Sequence, residues 1–279
     1  QHALAQRFVL LDNFYDTGEA SGDGWPWSTQ SMANEYVIKD LPYNYSGRGR
    51  NYDFEGQDNG HLVGGHPAKD PNGNTMSVVF PNGAPPIPDV AEAPGGHIWD
   101  AVRKANLSYR NYGFFYSFGV TQSGLPVILD NYPADGGLQP AGRNLSGVSD
   151  FDFRRYDNDF PDSDAPSQNG CLYSLTNYGF YHMPSRFAEW KREFDMMLAK
   201  DPGGNSVPAF MTLRFNHDHT QGLTPGKFTP RAEVADNDYA VGQLVEAISK
   251  SKIWESTAIF IIEDDAQDGP DHVDAHRST

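Results

Sequence analysis

The chain has 279 residues, enough for a large hydrophobic core, and 37 acidic against 21 basic side chains give it a formal net charge of −16. A nucleic acid needs a basic face on its partner, so this charge balance argues against nucleic-acid binding. The one cysteine, Cys171, excludes a disulfide within the chain. No stretch approaches the roughly 20 apolar residues of a membrane-spanning helix.

A strand, a glycine-rich turn and a helix are predicted near the start of the chain. The strand covers residues 8–15, the turn residues 17–24, and the helix residues 28–37. This order directs backbone N–H groups and the positive end of a helix dipole at an anion. A serine in such a turn is well placed as a nucleophile, whereas one at the helix start is a good N-cap. We therefore take Ser28 as the cap and Ser21 as the candidate nucleophile.

Two long stretches, residues 42–96 and 117–184, are rich in Gly, Pro, Asn and Asp and predict loops. Two histidines of the first stretch, His61 and His66, are typical of surface groups. In the second stretch, residues 150–164 interleave Asp with Phe and Tyr. The acids predict a solvated loop, and the aromatic side chains predict that it is ordered, as a cap over a site. Residues 117–184 as a whole are expected to be a loop-rich insertion or cap within the domain.

Helices followed by strands indicate the repeating unit of a parallel sheet. One pair is a helix over residues 96–105 and a strand over 108–112, and another is a helix over 185–198 and a strand over 209–215. Ser185 is the predicted N-cap of the second helix. The further elements are a helix end at residues 3–8, a strand at 76–80, and a helix with Thr229 as N-cap and Pro230 as its first residue. The predicted core faces are Ile98, Ala101, Val102 and Ala105, then Phe187, Trp190, Phe194 and Met197, then Val234, Val241, Leu244, Val245 and Ile248.

Acidic and histidine side chains follow the predicted strand over residues 209–215. His217, Asp218 and His219 come at its carboxyl end, where ligands gather in open α/β sheets. Two histidines that flank an aspartate favour a metal-ligand cluster over a hydrogen-bonded loop. In the helix that follows, Asp236 and Asp238 lie in the predicted first turn, where the helix dipole favours acids.

The densest cluster follows residues 258–262, five apolar residues that predict a strand buried on both faces. Ionised carboxylates at the end of such a strand are costly unless they are paired or bound to metal. The Asp and His residues here suit zinc, manganese, iron or magnesium. A helix–loop–helix calcium site starting at Asp264 is excluded, because Ala266 and Ala275 stand where it needs oxygen ligands. The cluster comprises Asp264, Asp265, Asp268, Asp271, His272, Asp274 and His276.

The run Asp264-Asp265, Gly269 and Asp271-His272-Val273 resembles the last metal motif of a phosphoesterase family in the alkaline phosphatase superfamily. That family includes bacterial phospholipases C and acid phosphatases. Its members usually have Asp-Glu at the first pair, so Asp265 is a conservative departure. The resemblance implies an α/β fold of alkaline-phosphatase type, with a mostly parallel central sheet between helices and long loop-rich insertions.

The same resemblance implies metal-dependent hydrolysis of phosphate esters through a phosphoseryl intermediate. Ser21 matches the position of the family's nucleophile, and Thr17 is the next choice. Two divalent ions are implied, with zinc first and manganese, iron, magnesium or calcium as alternatives. The implied metal ligands are Asp218, His219, Asp264, Asp265 and His272. His217 departs from the family pattern, and Asp238 either supports the metal site or stabilises its helix.

Hydrolysis of phosphodiesters, phospholipids or sulfate esters on the same scaffold is the alternative, as is a non-catalytic module stabilised by metal. The implied partner is a small phosphate ester, and some relatives carry a fused β-propeller. The resemblance implies a periplasmic or secreted protein. We expect one catalytic domain over residues 1–279, truncated at both ends, because the family's first acid-bearing strand would lie before Gln1.

Overall fold

A computed structural model describes part of the chain: residues 1–12, 18, 21–33, 38, 93, 95–115, 118–120, 126–128, 144–145, 147–150, 152–154, 156–165 and 183–265. The chain divides into two compact units. The first unit comprises residues 1–9, 110–113 and 150–260, and the second comprises residues 10–109, 114–149 and 261–279.

Helices and short strands are mixed, as the sequence predicts for an α/β protein. Strands β1 and β4 pair in a small parallel sheet, and β2 and β3 form an antiparallel pair in which Phe118 lies opposite Ile128. The elements in chain order are α1 (His2–Arg7), α2 (Ser21–Gln30), α3 (Ile98–Lys104), β1 (Tyr109–Tyr112), β2 (Phe118–Val120), β3 (Pro126–Ile128), α4 (Arg186–Lys200), β4 (Phe210–Leu213), α5 (Pro230–Ser249) and a short 3-10 helix (Trp254–Ser256).

Helix α4 supplies most of the core of the first unit. It begins after Ser185, whose side chain accepts a hydrogen bond from the backbone N–H of Ala188 at 3.0 Å, so the predicted N-cap is confirmed. Phe187, Trp190 and Phe194 are buried as predicted, and the last two rings stack with centroids 4.8 Å apart. They pack with other buried side chains of the unit, namely Tyr112, Phe153 and Ile248.

Helix α5 begins as predicted, with Thr229 as N-cap and Pro230 in the first turn. Val241, Val245 and Ile248 are buried, but Val234 is 48% exposed, so its predicted place in the core is wrong. The prediction that Asp236 and Asp238 lie in the first turn is also wrong. The acid there is Glu233, because the helix starts at Pro230 and both aspartates fall a turn later.

Helix α2 begins seven residues earlier than predicted, at Ser21 instead of Ser28, and ends at Gln30. Ser28 is not an N-cap, because it lies inside the helix and its hydroxyl donates to the carbonyl oxygen of Trp25 at 3.0 Å. Two glycines and a proline make this segment a poor helix by propensity. Packing of Trp25 against Phe114, with ring centroids 4.5 Å apart, accounts for the helix despite that propensity.

The helix and strand predicted over residues 96–105 and 108–112 appear as α3 and β1. The predicted apolar face of α3 is wrong, because Ile98 is 39% exposed and Trp99 is fully buried instead. The ring of Trp99 stacks on His97 with centroids 4.4 Å apart. Burial of a large aromatic ring stabilises the fold more than burial of the alanines on the predicted face. The helix therefore buries the face that carries Trp99.

The two other apolar runs are not strands in the described structure. Residues 8–12 and 258–262 form no strand, so the strand predicted at residues 8–15 is wrong over its described part. Phe260 is 84% exposed, so the burial predicted for residues 258–262 is wrong as well. An apolar run is buried as a strand only where other strands pair with it, and the parallel pairing described here is that of β1 with β4 alone. Residues 13–17 and the strand predicted at 76–80 lie outside the described residues.

Candidate functional site

Ser21 and Asp265 lie against each other in the second unit, although 244 residues separate them in the chain. Ser21 is the first residue of α2 and is 5% exposed. Its hydroxyl donates to Oδ2 of Asp265 across 2.9 Å. A carboxylate that accepts this hydrogen bond orients the hydroxyl and can take its proton. Because Ser21 is the first residue of α2, its hydroxyl oxygen lies at the end of the helix that has free backbone N–H groups and a partial positive charge.

Gly24 allows the neighbouring residue Asp264 to come close to α2. A Cβ atom at position 24 would overlap the carbonyl oxygen of Asp264. Position 24 therefore requires glycine because of a close backbone approach, not because of an unusual backbone conformation. This contact and the Ser21 hydrogen bond fix the Asp264–Asp265 pair along one stretch of helix.

Aromatic and polar contacts hold α2 in place within the second unit. Trp25 meets Phe114 and Phe115 edge to face, with centroids 4.5 and 5.8 Å away. The hydroxyl of Thr29 donates to the carbonyl oxygen of Trp25 at 2.7 Å and lies 2.9 Å from Nδ1 of His97. Such rigid support is what a positioned nucleophile needs.

The predicted ligands Asp218 and His219 belong to the first unit, on the loop after β4, and both are exposed. Nδ2 of Asn237 lies 3.5 Å from Oδ1 of Asp218. Nδ1 of His219 lies 2.9 Å from the hydroxyl oxygen of Tyr156. A ligand to His219 would therefore use Nε2, with Nδ1 held from the other side as in many metal-bound histidines.

His217, the departure from the family pattern, is the buried residue of this loop at 1% exposure. Its Nδ1 lies 2.6 Å from Oδ2 of Asp236 in α5, and its Nε2 lies 3.2 Å from the carbonyl oxygen of Asn158. Oδ2 of Asp162 accepts hydrogen bonds from the backbone N–H groups of Asn216 at 2.9 Å and His217 at 2.8 Å. These bonds fix the backbone from which Asp218 and His219 project.

Donors of the protein also occupy the remaining oxygens of this buried network. Oδ1 of Asp162 accepts from Arg186 at 2.9 Å, and Asp236 accepts from the backbone N–H of Asp162 at 2.8 Å and from Ser163. The ligand atoms of Asp162, His217 and Asp236 lie within 4.8 Å of one another, close enough to share an ion. Because every carboxylate oxygen already accepts a hydrogen bond, the arrangement favours a structural role over metal binding.

Charge within the network is set by the His217–Asp236 pair. Burial by itself lowers the pKa of His217, but the hydrogen bond to Asp236 and the charge of Asp162 outweigh it, so the pKa lies above its ordinary value. Burial raises the pKa of Asp236, but the hydrogen bonds from His217 and Ser163 outweigh it and hold the pKa below its ordinary value. Each member of the pair therefore favours the charged form of the other.

A second acidic group in the first unit comprises Asp150, Asp152 and Glu189, whose carboxylate oxygens lie within 4.8 Å of one another. Asp150 is 3% exposed, and burial together with the charges of Glu193 and Glu189 raises its pKa to about 7. Oδ2 of Asp150 lies 3.5 Å from a guanidinium nitrogen of Arg110, which binds Glu193 more closely.

Burial of Asp150 and Asp162 shows that the solvated loop predicted at residues 150–164 is wrong for these two acids. Phe153 and Phe160 of the same segment are also buried, which confirms the prediction that aromatic side chains order it. The buried guanidinium of Arg186 draws the segment onto α4, because it donates to the carbonyl oxygens of Arg154, Asp157 and Phe160.

The structure thus brings together Ser21 and Asp265 among the predicted site residues and holds Asp264 beside them. Neither group of three potential ligands in the described residues contains any of the predicted metal ligands. His272 and Thr17 lie outside the described residues. The contacts of Gly24, Asp162 and Asp236 were not predicted from the sequence, in which Asp236 indicates only a favourable interaction with the helix dipole. No sequence signal marks these residues, because their roles depend on contacts with distant segments.

No family of known proteins matches this chain, and neither a curated protein nor a solved structure is similar to it. Among the helices of the described residues, none has the length and apolar character needed to cross a membrane.

Proposed function

We propose that this chain hydrolyses phosphate esters in a metal-dependent reaction, through a phosphoseryl intermediate on Ser21. The hydrogen bond from Ser21 to Asp265 is the observation that carries the proposal. It joins the candidate nucleophile to a carboxylate that the sequence analysis had selected separately, as a metal ligand. A central sheet of alkaline-phosphatase type belongs to the same proposal.

In the proposed reaction the Ser21 oxygen attacks phosphorus and its proton passes to the carboxylate of Asp265. The bond between phosphorus and the ester oxygen breaks, and the alcohol leaves with a proton from solvent. Water then attacks phosphorus and loses a proton to solvent, and the bond between phosphorus and the Ser21 oxygen breaks. The Ser21 oxygen takes back the proton from Asp265, and inorganic phosphate leaves. The N–H groups at the start of α2 bind the phosphoryl oxygens as their charge grows.

The donor set of Asp264 and Asp265 is carboxylate oxygen, which fits magnesium, manganese, calcium or zinc. His272, which follows this pair in the sequence, would add an imidazole nitrogen, which favours zinc among these. A bound divalent ion would supply positive charge for the phosphoryl oxygens and for the developing alkoxide.

The test compares Ser21→Ala with Ser28→Ala in the metal-loaded protein, using p-nitrophenyl phosphate. Both serines lie in α2, but the Ser28 hydroxyl donates to the backbone at Trp25. Ser21→Ala should reduce turnover by at least about 10³-fold, because covalent catalysis is lost. Ser28→Ala should retain turnover within a few fold. Acid-quenched protein should carry phosphate on the Ser21 peptide.

Equal turnover in the two variants would reject Ser21 as the nucleophile. A wild-type protein that binds metal tightly, yet hydrolyses no phosphate or sulfate ester, would instead support a module that metal only stabilises.

A further inference from the structure

Three buried side chains along one face of α2 anchor the helix within the second unit. They belong to Ser21, Trp25 and Thr29, whose spacing of four residues places them one above another on an α-helix. Ser21 at the first turn donates to Asp265, and Thr29 at the last turn contacts His97. The contact of Ser21 belongs to the candidate site, whereas the contact at the other end of the helix has no part yet in the proposed reaction.

A proline interrupts the hydrogen bonds of α2 between these two contacts. Pro26 lies inside the helix and has no N–H group to donate to the carbonyl oxygen of Gly22, one turn earlier. Helices bend most readily at such a proline. The turn that carries Ser21 therefore needs support from outside the helix to keep its direction relative to the turn that carries Thr29.

Side-chain bonds span this interruption at the carbonyl oxygen of Trp25, the residue before Pro26. The hydroxyl of Thr29 donates to that oxygen at 2.7 Å, and Oγ1 of Thr29 lies 2.9 Å from Nδ1 of His97. A threonine hydroxyl has a single proton, which here lies on the bond to Trp25. Nδ1 of His97 is therefore the donor to Thr29. Through Thr29, His97 is joined to the half of the helix that precedes the proline.

The ring of His97 is itself held in place. His97 is buried and directly precedes α3. Its ring stacks on Trp99 at an interplanar angle of 4°, and its centroid lies 5.3 Å from that of Phe115. Its backbone N–H donates to Oδ2 of Asp100 at 2.7 Å. A side chain fixed by packing and by its own hydrogen bonds can hold a neighbouring group in one position.

We propose that His97 is a positioning residue for Ser21. By holding Thr29, it sets the direction of the first turn of α2 and keeps the Ser21 hydroxyl on Asp265. The inference rests on the proposed function, because the position of Ser21 affects turnover only if Ser21 is the nucleophile. His97 acts through the helix and not on the substrate, and a displacement of about 1 Å at a reacting group can cost roughly 100-fold in rate.

The test removes each half of the His97–Thr29 hydrogen bond in the metal-loaded full chain and measures kcat and KM for p-nitrophenyl phosphate. Thr29→Val keeps the shape of the side chain but loses the acceptor, and His97→Phe keeps an aromatic ring but loses the donor. Each should lower kcat by roughly 10- to 100-fold and change KM by less than about threefold. The double variant should be no slower than the slower single variant, because both substitutions remove the same interaction.

Conservative variants should restore the rate. Thr29→Ser keeps the hydroxyl, and His97→Asn places an amide N–H close to the position of the Nδ1–H group. Thr29→Ser should retain kcat within about threefold of the wild-type value, and His97→Asn should be faster than His97→Phe although it gives up the ring. If His97 only filled space, His97→Phe would be the faster of the two, and that order would overturn the inference.

Two substitutions are matched controls. Ser28→Ala removes a hydroxyl that donates to the same carbonyl oxygen as Thr29, that of Trp25, at 3.0 Å. Thr212→Val removes a buried threonine hydroxyl of the first unit, which donates to Asn111 at 2.8 Å. Both should keep kcat within about threefold, although Thr212→Val should lower the urea midpoint as Thr29→Val does. A loss of kcat in either control as large as in Thr29→Val would overturn the inference.

Amide hydrogen exchange provides a measurement that needs no turnover. In Thr29→Val and His97→Phe, the peptide with residues 21–25 should exchange at least about threefold faster than in the wild-type protein, because the turn around Ser21 opens more often. Ser28→Ala should leave its exchange unchanged. Absence of phosphatase activity in the wild-type protein would reject the proposed function, and exchange would still decide whether His97 holds this turn. Normal kcat in Thr29→Val, or unchanged exchange in both variants, would reject His97 as a positioning residue.

Discussion

Carboxylates serve two different purposes in the two places where Asp and His residues were expected to gather. Asp236 and Asp162 are buried, and each of their oxygens accepts a hydrogen bond from the protein. Asp264 and Asp265 are half-buried and lie beside the start of a helix, where Asp265 accepts from a serine hydroxyl. The first pair holds a loop, and the second pair belongs to the site of the proposed function.

The comparison shows that the density of Asp and His in a sequence does not separate ligands from structural ion pairs. His217 and His219 are two residues apart on one loop, yet the first is sealed against Asp236 and the second is exposed beside a pocket. What separates them is burial and the number of protein donors at each polar atom. Substitutions at the two places should therefore have different signatures, one in metal content and activity and the other in stability.

The largest effect is expected from the double substitution Asp264→Asn with Asp265→Asn. Amides bind divalent ions far more weakly than carboxylates, so tightly bound zinc or manganese should fall below detection and phosphatase turnover by several orders of magnitude. Elemental analysis after dialysis and p-nitrophenyl phosphate assays provide the measurements. Asp195→Asn, at an exposed position paired with Lys191, is the control. Unchanged metal content in the double variant would show that Asp264 and Asp265 do not bind the metal ion.

Asp236→Asn should mainly affect stability. It breaks the buried pair in which Nδ1 of His217 lies 2.6 Å from a carboxylate oxygen of Asp236, and loss of one partner of such a pair costs about 3–5 kcal/mol of unfolding free energy. Asp238→Asn, two residues along the same helix, removes a carboxylate that is 54% exposed and should change stability by less than about 0.5 kcal/mol. Urea unfolding of both variants measures the difference. Similar unfolding free energies for the two would show that the buried pair adds nothing to the fold.

Gly24→Ala should disturb stability and activity together, by a smaller amount. The new methyl group meets the carbonyl oxygen of Asp264, so the helix or the Asp264–Asp265 segment must shift, at about 1–3 kcal/mol. Gly242→Ala is the control in α5, where nothing lies within 4 Å of an added Cβ, and it should stabilise the protein by up to about 1 kcal/mol. A Gly24→Ala protein with normal stability and turnover would mean that the approach of Asp264 to α2 has no role.

Local sequence signals predicted the helices well where a cap and an apolar face agree. The capping residues Ser185 and Thr229 and the aromatic stripe of α4 appear as expected, because each depends on residues within a few positions of one another. The predicted start of α2 was wrong because the glycines and proline of this segment indicate a turn. The helix is stabilised instead by packing of Trp25 against Phe114. That information lies about 90 residues away along the chain.

Burial of the apolar runs and of the acids was predicted less well. Residues 258–262 have the composition of a buried strand but are largely exposed, whereas the Asp-rich segment with Asp150 and Asp162 is partly buried. The composition of a segment indicates how favourable its burial would be. Whether an acidic segment is buried depends on side chains elsewhere that pair with it, as Arg186 pairs with Asp162. Ser21 and Asp265 were each predicted from the sequence as site residues, but the hydrogen bond between them was not, because it joins residues 244 positions apart.

The last prediction concerns Asp150, whose effect on stability depends on pH. Burial and the charges of Glu193 and Glu189 raise the pKa of Asp150 to about 7 in the folded protein, whereas an unfolded chain has an ordinary Asp pKa of about 3.9. The folded state therefore binds this proton more tightly. Its contribution to stability is complete at low pH, declines as pH rises from about 4 to about 7, and is absent above that.

Asp150→Asn should remove this decline, because the amide does not ionise and its oxygen can still accept the 2.8 Å hydrogen bond from the backbone N–H of Asp152. Arg110 keeps its main partner Glu193. We expect the variant to match the parent near pH 4 and to exceed it by up to about 4 kcal/mol at pH 8, in unfolding free energies measured by urea titration at each pH. Asp195→Asn should follow the parent's pH dependence throughout. A parent and an Asp150→Asn variant that lose equal stability between pH 4 and pH 8 would show that Asp150 ionises normally in the folded protein.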